Sequence, residues 1–112
     1  MEIGIENANT FRDVGAKYKV GVDPYPLCRP PLSMFGSQIK RMTSDQFFRS
    51  NEDVFDLVFI DGLHTYEQTY RDLLNTFLTS SSEVLILIDD VVPSDMFAAS
   101  RSQLECQILK QA

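Results

Sequence analysis

Positive charge is scarce in this chain: ten lysines and arginines stand against sixteen aspartates and glutamates, for a net charge of -6. No Lys/Arg cluster is available to neutralise phosphates, so nucleic acid is not expected as a partner. A small polar substrate or a divalent cation remains compatible with that balance. Long apolar runs are also missing. None approaches the roughly 20 residues needed to span a bilayer, so no membrane association is expected. Cysteine is sparse: Cys28 and Cys106 are the only two, and no secretory signal is recognisable ahead of them. They read as reduced thiols of a cytoplasmic protein, ahead of a disulfide or a metal pair. Repeats and low-complexity segments are lacking. The full G-x-G-x-x-G pattern is lacking too, because Gly4-Ile5-Glu6-Asn7-Ala8 does not supply it. That argues against a nicotinamide-dependent dehydrogenase.

What is present is an alternation of short β-branched runs with helical patterns over 112 residues, the mark of βαβ units in one domain. Met1 to Gly4 reads as the end of a strand. Asn9 or Thr10 is a candidate cap for a short helix over 11–17. Lys19 to Asp23 is a second strand, stopped by Pro24 and Pro26, and the Pro-rich stretch 25–37 is loop. Gln38 to Met42 is a weak third strand. Thr43-Ser44-Asp45-Gln46 and Thr65-Tyr66-Glu67-Gln68 both fit the capping-box pattern that opens a helix. Phe55 to Ile60 and Val84 to Ile88 are buried strands ending at Asp61-Gly62 and Asp89-Asp90. Between them, Tyr66, Thr69, Tyr70, Leu73, Leu74 and Phe77 recur at helical spacing and read as a core-facing stripe. Ser80 to Ser82 end that helix, and 103–110 is a further helical candidate. The fold class that follows is α/β, a doubly wound, mostly parallel Rossmann-like sheet of about five strands.

In such sheets ligands bind beyond the carboxyl ends of the strands, and the polar residues of interest all fall there. Gly4 after the first strand lets the backbone turn and approach a ligand closely. About 19 residues on, Asp23 ends the second strand, where a carboxylate can accept hydrogen bonds from both ribose hydroxyls of a nucleoside. The plainer alternative is a turn glycine and a strand-terminating aspartate. Asp61, Asp89 and Asp90 end neighbouring strands about 4.8 Å apart. Three carboxylates at one rim repel one another, and Mg²⁺ or another divalent cation would relieve that repulsion. Otherwise Asp61 caps a helix and only one of the Asp89-Asp90 pair faces the site. His64, the only histidine, is a candidate general base or a locally bonded helix-entry residue.

Glu2-Ile3-Gly4 with Thr10, Val20-Gly21-Val22-Asp23-Pro24 and above all Asp61-Gly62-Leu63-His64-Thr65-Tyr66 resemble class I S-adenosylmethionine methyltransferases. The closest likeness is to a small-molecule O-methyltransferase-like group with an Asp-Gly-x-His-x-Tyr motif, and it runs from about Glu2 to Asp95. The resemblance implies S-adenosylmethionine as cofactor and a small-molecule hydroxyl as methyl acceptor. By position it assigns Glu2, Gly4, Ile5, Glu6, Asn7, Asp23, Ser44, Asp45 and Asp61 to the cofactor. His64 and Asp61 become catalytic, and Asp61, Asp89 and Asp90 ligate a metal. There the metal would orient the acceptor hydroxyl and lower its pKa.

Two departures from that family qualify the expectation. Ala8 stands where the family has a second glycine. The family sheet has seven strands, whereas five are legible here, and the first is read as cut short. The expectation is therefore a single partial domain over 1–112, or a homo-oligomer formed through the edge of strand 84–88, since an apolar edge should not lie bare. Two alternatives stay open: a degenerate methyltransferase-like fragment without turnover, and a receiver-type Mg²⁺-binding signalling domain.

Overall fold

The computed structural model describes residues 1–27, 36–63 and 65–89. Along them run β1 (Glu2–Ile3), α1 (Asn9–Asp13), β2 (Lys19–Val22), β3 (Ser37–Lys40), α2 (Ser44–Ser50), β4 (Phe55–Ile60), α3 (Tyr66–Thr79) and β5 (Ser80–Ile88). The strands form one sheet in the order β3-β2-β1-β4-β5, and every pairing is parallel. This is the α/β Rossmann-like sheet the alternation predicts. The order also overturns the receiver-type alternative, whose sheet runs 2-1-3-4-5. Here β2 and β3 lie to one side of β1 while β4 and β5 lie to the other, so the switch point falls between β1 and β4.

The short strands β1 and β2 are buried along their whole length because both of their faces are covered. One core cluster joins Ile3, Val20, Val22, Val58 and Ile60 to Phe47 of α2 and Phe55, with Leu73 of α3 packed against it. Phe47 meets Phe48 edge-on at 5.5 Å and Phe55 at 6.3 Å. A second, smaller cluster of Ile5, Ala8 and Phe11 packs α1 against Ile39. Lys19 is buried and ties this helix down: its Nζ donates to the Phe11 and Val14 carbonyls at 2.7 and 3.0 Å. A cation at orphan carbonyls is favourable, and the Nζ also lies 5.0 Å from the Phe11 ring centre.

Several local expectations need correction. α1 closes at Asp13 rather than Lys17, where its last carbonyls meet Lys19. Neither Asn9 nor Thr10 caps it: both lie inside the helix, and the cap is Ala8 in the left-handed region with no side-chain bond. The box at Thr43 forms in both directions, Thr43 Oγ1 accepting from the Gln46 amide and Gln46 Oε1 from the Thr43 amide. At Thr65 only half forms, because the Gln68 side chain is used elsewhere. β5 begins at Ser80, immediately after α3, with a register irregularity opposite Phe55–Leu57.

The stripe on α3 is rotated relative to expectation. Tyr66 is 74% exposed and Phe77 60%, with Tyr70 and Leu74 also exposed, whereas Asp72 and Thr76 are buried. One tie to a neighbouring element sets that rotation, alongside two bonds internal to the helix. Thr65 caps the helix, Gln68 bonds across to α2, and Thr76 satisfies its hydroxyl on the Asp72 carbonyl at 2.6 Å. Of the expected stripe, Leu73 does pack on the core. Tyr66 and Tyr70 instead stack on each other outside it, with ring centres 5.8 Å apart. Leu85 and Leu87 of β5 are exposed as well. Among the described residues no helix is long and apolar enough to cross a membrane.

Candidate functional site

The parallel ladder continues past the strand ends and gathers them at one rim. Gly4 N–H donates to the Val22 carbonyl at 2.8 Å, Asp61 N–H to Ile3 at 2.9 Å, and Asp89 N–H to Ile60 at 3.0 Å. Gly4 has a φ of +80°, and a Cβ there would collide with the Asp61 carbonyl oxygen and approach Gly62 Cα to 2.8 Å. The glycine is thus required by the neighbouring strand end as well as by the turn.

The turn after β1 is held by Asp23. Its Oδ2 accepts from the amides of Ile5 and Glu6 at 3.1 and 3.0 Å, and its Oδ1 from the Tyr25 amide at 2.8 Å. Positive φ recurs at alternate positions of this turn: Gly4 at +80°, Glu6 at +48° and Ala8 at +61°. Only the first is a glycine. Ala8 is the family departure noted above, and Glu6 is a second non-glycine residue held at positive φ.

Beneath the turn lies a hollow of about 580 Å³ between the ends of β1, β2 and β4 and the first turns of α2 and α3. Its walls include Gly4, Glu6, Asp23, Ser44, Asp45 and Asp61, six of the nine residues expected at a cofactor. The other three are elsewhere. Ile5 is buried in the α1 cluster and offers only its amide, to Asp23. Asn7 is an exposed turn residue outside the lining. Glu2 lines a separate hollow of about 670 Å³, beside Lys19, Phe11 and Phe59. Its carboxyl is pushed up to about 7, first by burial and then by repulsion from Asp61, against the pull of the N-terminal ammonium and Lys19.

Two polar residues of the wall escaped sequence reasoning. Asp72 is 1% exposed and sits at the base of the hollow. Burial raises its pKa, hydrogen bonds from Ser44 and Gln68 oppose the rise, and Asp45 adds to it. Gln68 Nε2 lies 3.0 Å from Asp72 Oδ1, 3.1 Å from Ser44 Oγ and 3.2 Å from Asp45 Oδ1. The available signal was the polar repeat Thr65, Gln68, Thr69, Asp72, Thr76, which follows helical spacing as well as the apolar stripe does.

Of the expected metal ligands, Asp61 and Asp89 end adjacent strands in register, while Asp90 lies outside the described residues. Among the described residues no three His, Cys, Asp or Glu side chains are grouped to hold an ion. His64, Cys28 and Cys106 also lie outside them.

The hollow carries five carboxylates, from Glu6, Asp23, Asp45, Asp61 and Asp72, and among the described residues no lysine or arginine lines it. Its size is that of a small-ligand site. Its charge suits a nucleoside bearing positive charge and opposes a phosphate. No curated protein and no solved structure gives a match. A family model described as a methyltransferase domain matches residues 8–91, from the end of the first turn to just past β5. With well over half its length so matched, the chain belongs to that methyltransferase family, whose usual cofactor is S-adenosylmethionine.

Proposed function

We propose that the strand-end hollow binds S-adenosylmethionine and that the domain transfers its methyl group to a hydroxyl of a small molecule. The supporting observation is the wall: five carboxylates and, among the described residues, no basic side chain in the lining, beside a glycine turn at the switch point. A phosphate-bearing dinucleotide would meet mostly like charge there, Arg71 behind Asp45 lying outside the described wall. A sulfonium nucleoside carries positive charge, and acids within a few ångströms favour a cation. Bound, the donor supplies an electrophilic methyl carbon.

The chain's own groups then have distinct tasks. Gly4 leaves room at the turn, and Asp23 offers a ribose hydroxyl the one lone pair on Oδ1 left over from its three amide bonds. Ser44 and Asp45 face the base. Asp61 stands at the mouth, at a position to orient an acceptor hydroxyl, and His64 serves as the base that takes its proton. Metal assistance through Asp61, Asp89 and Asp90 belongs to the same reading, and no step here depends on it.

A second reading, a degenerate domain that holds the fold without turnover, is favoured by Glu6 and Ala8, which occupy left-handed positions that suit glycine. Hydrogen-deuterium exchange with and without S-adenosylmethionine tests binding and location together. Added protection at 4–7, 23–25 and 43–46 is expected. Exchange unchanged at millimolar ligand excludes the donor site. Binding without methyl transfer to any hydroxyl acceptor, with or without magnesium, favours the degenerate domain.

A further inference from the structure

We infer that Gln68 is a positioning residue that sets the base-facing wall of the hollow and, through Asp45, its preference for adenine. The inference rests on the reading of that hollow as the donor site. Gln68 occupies the helix position from which a capping-box side chain returns to the cap amide. Here the Thr65 amide donates to the Leu63 carbonyl instead, at 2.9 Å. The Gln68 amide group is left to reach across to α2.

Its two N–H donors face three acceptors within 3.2 Å: Asp72 Oδ1, Ser44 Oγ and Asp45 Oδ1. Its Oε1 accepts from Arg71, 2.6 Å away. The amide therefore has one favourable orientation, since a flip would set its oxygen against two carboxylates and its nitrogen against a guanidinium. Removing the donor takes away the side chain that touches both Asp45 and Asp72, leaving Asp45 the longer contact with Arg71 at 3.7 Å and Asp72 its bond with Ser44. Like charges at that range move apart. Asp45 then no longer presents an acceptor fixed toward the hollow.

The chemical consequence is base selection. An ionised carboxylate held toward the hollow accepts from the exocyclic amino group of adenine. Hypoxanthine offers a carbonyl oxygen at that place, and an acceptor facing an acceptor is repelled. Gln68 thus acts through Asp45, and its loss should alter discrimination between bases more than it alters the fold.

The test compares S-adenosylhomocysteine with S-inosylhomocysteine by calorimetric titration of the wild type, Gln68→Met and Gln68→Glu, with thermal melts as the fold control. The wild type is expected to favour the adenosyl ligand by tenfold or more. Gln68→Met should weaken the adenosyl ligand about tenfold while changing the inosyl ligand little, as expected for a lost hydrogen bond to a charged group. Gln68→Glu should bind weakly at pH 8 and recover on acidification, because the protonated carboxyl restores one donor. That recovery carries the test should the Met variant fail to fold. Equal losses for both ligands, or no change in a folded variant with no pH-dependent recovery, overturn the positioning role while leaving the donor site standing. A wild type that binds neither ligand overturns both.

Discussion

At the scale of single residues, the turn after β1 holds two side chains in a conformation that costs an L-residue about 1–2 kcal/mol. Glu6, at φ +48°, is exposed, so glycine there relieves strain without removing core contacts. Part of the gain is offset by the greater freedom of glycine in the unfolded chain. Glu6→Gly should raise stability by about 0.5–1 kcal/mol, read as an upward shift of the melting temperature. Glu2 makes a different prediction. Its folded pKa of about 7 lies above its ordinary 4.5, so the fold favours the protonated form. The stabilisation is fully present below pH 4.5 and is lost as pH rises to 7, a change of about 3 kcal/mol for an isolated shift of that size. Glu2→Gln should flatten the melting temperature between pH 5 and 8. A wild-type profile already flat over that range would contradict the burial of this carboxyl.

Elements were legible to different degrees. β4 announced itself through an apolar run broken by Asp56 alone, β5 through Val84 to Ile88, and Thr43 through a box that forms as written. The rotation of α3 was not legible, because two stripes share one helix. The apolar one lies at Tyr66, Tyr70, Leu74 and Phe77, and the polar one at Gln68, Asp72 and Thr76. Periodicity finds a stripe but not its partner. The choice was made by contacts distant in sequence, Gln68 with Ser44 and Asp45 of α2. The same blindness hid Asp72 and Gln68 from the site, whereas Gly4, Asp23, Ser44, Asp45 and Asp61 were findable because they sit where strands end. Ile5 and Asn7 alternate with Gly4 and Glu6 along the turn, and Glu2 lines a separate hollow, which adjacency in sequence cannot reveal. The rotation has a direct stability test. Phe77→Ser should cost no more than about 0.5 kcal/mol, as an exposed change does. Phe47→Ala, in the core, should cost about 3–5 kcal/mol. Reversed costs would put the apolar stripe inside.

For the molecule as a whole, β5 is the outermost strand of the sheet among the described residues, with Leu85 and Leu87 exposed on it. Exposed apolar strand edges pair with other chains. Sedimentation velocity of the 112-residue chain is expected to show a concentration-dependent dimer, which Leu85→Lys weakens, and a monomer at every concentration would contradict edge pairing. The sheet order and the family match fix the class of domain. The whole account depends on the strand-end hollow receiving the donor nucleoside. The most direct measurement is calorimetric titration of S-adenosylhomocysteine into the wild type and into Asp23→Asn. Saturable one-site binding, weakened tenfold or more by Asp23→Asn, is the predicted result; no heat at millimolar ligand, or equal affinity in the two proteins, would contradict it.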